Sequence, residues 1–234
     1  MESQQFFQQL DARIAKYDLL CHPFYQAWTA GQLTRNHLRD YAQQYYHHVQ
    51  SFPTYLAELA MRLEDGELRR AVLANMADEQ GLGNTPGESD PAHSEMWLDF
   101  AEGMGSSRDL SRHKSLPAIK ELTAFFHRVA SEGTPAEALA AFYAYESQVP
   151  RVANEKARGL RETYGADEQT CRYFTVHTTA DVYHSRMWRQ QLERLLETQP
   201  ESEEKALAAG ENAAKALWKA LDGIEESRTT LAAA

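Results

Sequence analysis

The chain has 234 residues, 43% of them hydrophobic, enough for one substantial core in one or two domains. With 34 acidic residues against 24 basic ones the net charge is −10, which repels phosphate and argues against a nucleic-acid partner. The two cysteines, Cys21 and Cys171, have no zinc-type spacing, no apolar run approaches the roughly 20 residues that span a bilayer, and "MESQQFFQQL" lacks a basic-then-apolar signal pattern; a cytoplasmic protein with no membrane segment is expected.

Taken in order, the segments read as helices. Phe6, Leu10 and Ile14 begin one apolar stripe, and Leu38, Tyr41, Tyr45, Val49 and Phe52 make a long aromatic one, by default core packing. Leu68, Val72 and Met76 make a third. Turn chemistry breaks the pattern at "CHPF" (21–24), "AGQLT" (30–34), "EDGE" (64–67), "GLGNTPGESDP" (81–91) and "GMGSSRD" (103–109). "TPAE" (134–137) starts a helix, with Thr134 as cap, Pro135 at the first position and Glu137 closing a capping box. Pro150 should kink or break the helix through Glu146, and a new one should run to about Tyr164. The longest helix is predicted over 168–197. Beyond it, 201–222 reads as an Ala-rich amphipathic helix that packs loosely or mediates self-association, dispensable for metal binding, with "RTTLAAA" frayed. The expectation is an all-α bundle of about seven to nine helices: a working domain over 1–200, a C-terminal helix and tail over 201–234, and a homodimer as one possible assembly.

"TVHTTADVYHSRMW" (175–188) carries the first chemistry. On one helix His177, Asp181 and His184 share a face, which presents two imidazoles and a carboxylate where a bundle usually places Leu and Ala. Such a donor set suits iron and related divalent metals. On spacing alone, a solvated face or a hydrogen-bonded pair is the more common outcome of such a stripe. The chain has no E-x-x-H, so a ferritin-like site is disfavoured. Three further candidates lie elsewhere. Glu146 in "FYAYESQVP" is costly to bury alone, Glu79 ends an amphipathic helix, and His93 opens another. Each has an ordinary alternative: Glu146 could pair with Arg151, His93 could cap its helix, and Glu79 has rivals in Asp78, Glu88 and Glu95. His47 and His48 have no further ligand nearby and read as structural.

"DPAHSEMWLDFAEGMG", "YAYESQVPRVANEKARGL" and "HTTADVYHSRMW" together resemble the haem-oxygenase-like di-iron oxidases. Within them the likeness is to the branch of the chlamydial death-domain-associating protein, whose relatives make 4-aminobenzoate; thiaminase II and pyrroloquinoline-quinone synthase proteins are more distant. The resemblance runs from about residue 10 to about 195. It implies two metal ions, both iron or iron with manganese, held by Glu79, His93, Glu146, His177, Asp181 and His184. The interval from Glu79 to His93 is longer than the family's, with "GNTPGESDP" as the insertion. The resemblance also implies that 4-aminobenzoate for folate synthesis is built from Tyr25, with Lys156 as amino donor and Tyr41, Tyr145 and Tyr173 lining the pocket. Dioxygen and a reductant would be required, the electron donor being unspecified. Read without the resemblance, Tyr25 is a buried aromatic and Lys156 a surface lysine beside Glu155. The competing expectations are a di-iron oxygenase acting on an external fatty acid or amine, a non-enzymatic interaction module, and a thiaminase-like enzyme using Cys21 or Cys171.

Overall fold

The computed structural model describes residues 3–82, 90–110 and 112–232. Among these it contains eleven α-helices, two short 3-10 turns and no strand. In order, the helices are α1 (Ser3–Ala15), α2 (Pro23–Thr29), α3 (Arg35–Arg62), α4 (Glu67–Glu79), α5 (His93–Gly103), α6 (Pro117–Ser131), α7 (Pro135–Glu146), α8 (Val149–Glu162), α9 (Glu168–His177), α10 (Ala180–Thr198) and α11 (Glu203–Ala232). The all-α expectation holds. "GNTPGES" (83–89), read as the insertion, and Glu88 with it, lie outside the described residues.

Local chemistry sets most of the boundaries. Thr34 caps α3 and His37 returns the bond to the cap backbone. Thr134 and Glu137 form the expected capping box of α7, with Pro135 just inside the helix. Glu146 ends α7, and Pro150 sits in the first turn of α8, where a missing N–H costs nothing.

The predicted 168–197 helix is instead two. Thr178 and Thr179 separate α9 from α10, and their hydroxyls donate back to the carbonyls of Thr175 and Val176 at 2.7 and 3.2 Å. Consecutive threonines thus offer the backbone local partners that compete with the helix ladder. The break adds one helix to the count. It also leaves α11 and α3, of 30 and 28 residues, as the longest helices among the described residues.

Helix α7 is buried on every side, from Ala138 through Glu146. It is the axis of the bundle, with α11, α10 and α6 packed around it. This corrects the expectation for the C-terminal segment. Rather than packing loosely, α11 buries Leu207, Leu217, Leu221, Ile224 and a row of alanines against α7, α6 and α1, and it stays helical to Ala232, past the predicted fraying point. Fully burying a Leu or Ile side chain is worth about 1.5–3 kcal/mol. Four such residues together rival the roughly 5–15 kcal/mol that holds a domain folded. A chain ending at residue 199 is therefore expected to lose its cooperative thermal transition and its metal binding with it. A sharp, unshifted melt from the truncated chain would contradict this packing.

Helix α8 approaches α2 closely. A Cβ on Gly159 would lie 2.9 Å from the Trp28 ring, so only glycine allows this spacing without movement. Lys156, three residues earlier on the same face, is carried inward by that approach. No helix among the described residues is long and apolar enough to cross a membrane.

Candidate metal centre

Five helices converge by their ends. Glu79 is the last residue of α4, His93 the first of α5, Glu146 the last of α7 and His177 the last of α9, while Asp181 and His184 lie in the first turns of α10. All six are buried. The structure therefore brings together every candidate ligand read from the sequence.

Five of them form two trios sharing one member. Donor atoms of Glu79, His93 and His177 lie within 4.8 Å of one another, and so do those of Glu79, Glu146 and His184. Asp181 adjoins the second trio, its Oδ1 3.3 Å from His184 Nδ1, while Glu146 Oε1 is 3.9 Å from the same nitrogen. His93 Nδ1 lies 2.9 Å from Glu79 Oε2 without the alignment of a hydrogen bond. The two side chains thus turn their polar atoms toward one another. The His177 Nδ1–H donates to the Tyr173 carbonyl at 2.6 Å, which leaves Nε2 unprotonated and free to coordinate.

Electrostatics expose the strain of this cluster without a cation. Burial raises the Glu146 carboxyl well above the usual carboxylate range. Burial likewise lowers His177. Burial would also raise Glu79, but the imidazoles of His93 and His177 outweigh it and hold this carboxyl low. For His184, burial is overcome by hydrogen bonds to Asp181 and Asp78, and the imidazole is pushed up to about 11. Three carboxylates and three imidazoles packed away from water are costly as they stand. An orphaned His93 nitrogen and a mixed oxygen–nitrogen donor set fit divalent iron or manganese.

The alternatives weighed for single residues are not what the structure shows. Arg151 pairs with Asp18 at 3.1 Å rather than with Glu146. Ala92, not His93, occupies the cap position of α5. His48 is fully buried with neither ring nitrogen bonded, and His47 faces His113 at 3.4 Å.

Next to the cluster is a second, tyrosine-lined chamber. A cavity of about 10 Å³ touches Glu79, Glu146, His177, Asp181, Tyr145 and Tyr173. Another, of about 20 Å³, is lined by Tyr25, Tyr45, Trp97, Tyr145, Lys156 and Tyr173. Tyr145 and Tyr173 thus form the wall common to both. Lys156 is not at the surface. Its Nζ donates to Tyr25 Oη at 2.7 Å and to Tyr41 Oη at 2.5 Å, and it sits 4.3 Å from the centre of the Tyr25 ring. The Tyr25 and Tyr41 oxygens are 3.0 Å apart. Burial alone drives the Lys156 ammonium well below its ordinary value, and burial raises both phenols. This is an amine of lowered basicity held against two phenols that resist ionisation.

Two supporting side chains were missed in the sequence, and a third, Asp78, figured there only as a rival to Glu79. Trp188 Nε1 donates to Glu146 Oε2, Asn75 reaches Glu146 Oε1 at 3.5 Å, and Asp78 meets His184 Nε2 at 2.9 Å. Spacing could have found two of them. Trp188 is four residues after His184, and Asn75 four before Glu79, each on its ligand's helical face.

A helical bundle enclosing paired carboxylate–imidazole clusters has the make-up of a non-haem metal oxidoreductase. Residues 39–218 match the family model described as iron-containing redox enzyme, and the chain belongs to that family. It is 38% identical to a 4-aminobenzoate synthase of Nitrosomonas europaea, covering 97% of this chain and 94% of that one. To a 4-aminobenzoate synthase of Chlamydia muridarum it is 37% identical, covering 97% and 93%. A pyrroloquinoline-quinone synthase of Acidiphilium cryptum is more distant, at 27% over 88% of this chain and 82% of that one. Among solved structures, a haem-oxygenase-like domain of unknown function from Shewanella denitrificans superposes with a TM-score of 0.80 at 20% identity, covering 99% of this chain and 95% of that one. That likeness establishes the haem-oxygenase-like fold.

Proposed function

We propose that this chain is a 4-aminobenzoate synthase that makes its product from its own Tyr25 and Lys156, using dioxygen and an external reductant. In this reading Glu79, His93, Glu146, His177, Asp181 and His184 hold two transition-metal ions, both iron or iron with manganese. The observation that carries it is the placement of Lys156: a buried amine against the Tyr25 ring, in a chamber that shares its wall with the ligand cluster. The names of the relatives support the product.

Bound reduced metal would supply dioxygen activation and oxidising equivalents. The chain's own side chains supply the rest. Tyr173 stacks on His177 with ring centres 3.9 Å apart and meets Trp97 at 4.7 Å, and Trp97 meets Tyr41 at 5.7 Å. These rings link the ligand cluster to Tyr25 by aromatic contact. The phenol of Tyr25 resists ionisation, so losing an electron requires a partner for its proton. Lys156 Nζ, 2.7 Å away, is that partner, and Tyr41 completes a triangle through which the proton can leave the amine again. The free amine is then placed to attack the oxidised ring. The product's structure fixes the bonds that change. The ring C–O bond gives way to C–N and its oxygen leaves as water; the Lys156 Cε–Nζ bond breaks and Cε is left as an aldehyde; the Tyr25 Cα–Cβ bond breaks, Cα taking a hydrogen to become glycine as the methylene becomes the carboxyl carbon. The six electrons given up by the side chains, with two more from the reductant, reduce two molecules of dioxygen.

The external-substrate reading finds little room. A cavity of about 20 Å³ beside Lys156 holds scarcely more than one water, not an aromatic molecule. The test uses protein grown on ring-labelled tyrosine, then loaded with iron and supplied with reductant and dioxygen in unlabelled buffer. Labelled 4-aminobenzoate is expected, at no more than about one molecule per chain, because a consumed side chain is not regenerated. Unlabelled product, or many turnovers per chain, would reject the proposal in favour of an external substrate.

A further inference from the structure

We infer that Asp78 is a positioning residue of the metal centre: it accepts the Nε2 proton of His184 and so fixes the tautomer whose Nδ1 points inward. The inference rests on the ligand assignment proposed above. An imidazole that coordinates through one nitrogen carries its proton on the other, and the partner of that proton decides which is which. Here Asp78 Oδ2 is 2.9 Å from Nε2, while Nδ1 faces Asp181 Oδ1 at 3.3 Å and Glu146 Oε1 at 3.9 Å.

The three imidazoles are fixed in different ways. His177 is held by the Tyr173 carbonyl of its own helix. His93 has only the unaligned approach of Glu79. His184 alone of the three is oriented by a carboxylate from a different helix that belongs to neither trio. It also needs such a partner most. It is the least buried of the six, and the Asp78 side chain beyond it is 57% exposed. Without Asp78, water would meet Nε2 and the ring would be held only from its Nδ1 side. The last turn of α4 therefore serves the centre twice, with Glu79 turned into both trios and Asp78 reaching across to α10.

An ordinary surface pair would behave differently. A half-exposed ion pair adds little to folding and has no reason to influence one metal ion over another. The experiment titrates metal-free protein anaerobically with Mn(II), follows each bound equivalent, and records the denaturation midpoint of the metal-free form. Asp78→Ala is expected to keep one equivalent at wild-type affinity and to weaken the other about 10–100-fold, the usual effect of removing an outer partner of a ligating histidine. Asp78→Asn, whose amide oxygen still accepts from Nε2–H, should regain part of that loss. The midpoint should barely move in the Asn protein, which separates positioning from folding. Unchanged affinity for both equivalents in both variants, or equal weakening of both, overturns the role given to Asp78. Wild-type protein that binds no Mn(II) would instead overturn the ligand assignment, and this inference with it.

Discussion

Glu79→Ala protein is expected to retain almost none of the two metal equivalents, the largest effect of any ligand substitution. Glu79 is the one residue present in both trios, so removing its carboxylate deprives both positions of a donor at once. It also strips the counter-charge from His93, whose Nδ1 is 2.9 Å from it and whose imidazole is held above its usual range despite burial. His177→Ala removes a donor from one trio only, so it should lose about one equivalent and weaken the other less. Elemental analysis of protein purified without added metal, with circular dichroism to confirm the helices, reads both effects. If the Glu79 variant kept two ions, the shared-carboxylate arrangement would be wrong.

Tyr25→Phe should abolish 4-aminobenzoate while leaving metal content at the wild-type level. The phenol makes no contact with the ligands. Its partners are Lys156 and Tyr41, and the ring's apolar neighbours are kept by phenylalanine. Losing the two buried hydrogen bonds of this hydroxyl costs about 1–3 kcal/mol, too little to unfold the chain. Lys156→Met should give the same result by removing the amine while keeping an unbranched apolar stem in its place. In both variants dioxygen can still be consumed when reductant is supplied, because the ligand cluster is intact. Product formation at wild-type yield from either variant would remove that residue from the chemistry.

The architecture was legible where one physical rule acted alone. Thr134 and Glu137 read as a helix start, and the 41–52 stripe read by default as core, which it is. The six candidate ligands came from the resemblance together with local pattern, and the structure brings them to one place. Two features escaped for identifiable reasons. The 177–184 stripe suits a continuous helix, because i, i+4 and i+7 share a face whether or not the backbone is interrupted. The break depends instead on threonine hydroxyls turning back on the backbone, which periodicity does not register. The Ala-rich 201–222 segment has a weak apolar pattern because its partner, α7, is itself built of small residues. Alanines from two sides let the helices approach closely, and tertiary fit does the work that large side chains do elsewhere. Lys156 could not be found by composition at all. Its burial follows from Gly159 and Trp28, two residues that meet only in the folded chain.

The dense packing of Tyr25 also bears on how long the protein lasts. Its ring lies within 6.2 Å of the centres of the Phe24 and Tyr41 rings, with about 3% of the residue open to solvent. If Tyr25 is the source of the product, as proposed, giving that ring away would leave a glycine-like backbone in α2, at about 1 kcal/mol in a helix, and a hole where an aromatic stood, at about 3–5 kcal/mol. Against a total of roughly 5–15 kcal/mol, the used chain would stand near its unfolding threshold. A spent molecule would then open more often than a fresh one and be degraded first, so that the act of synthesis also marks the catalyst for removal.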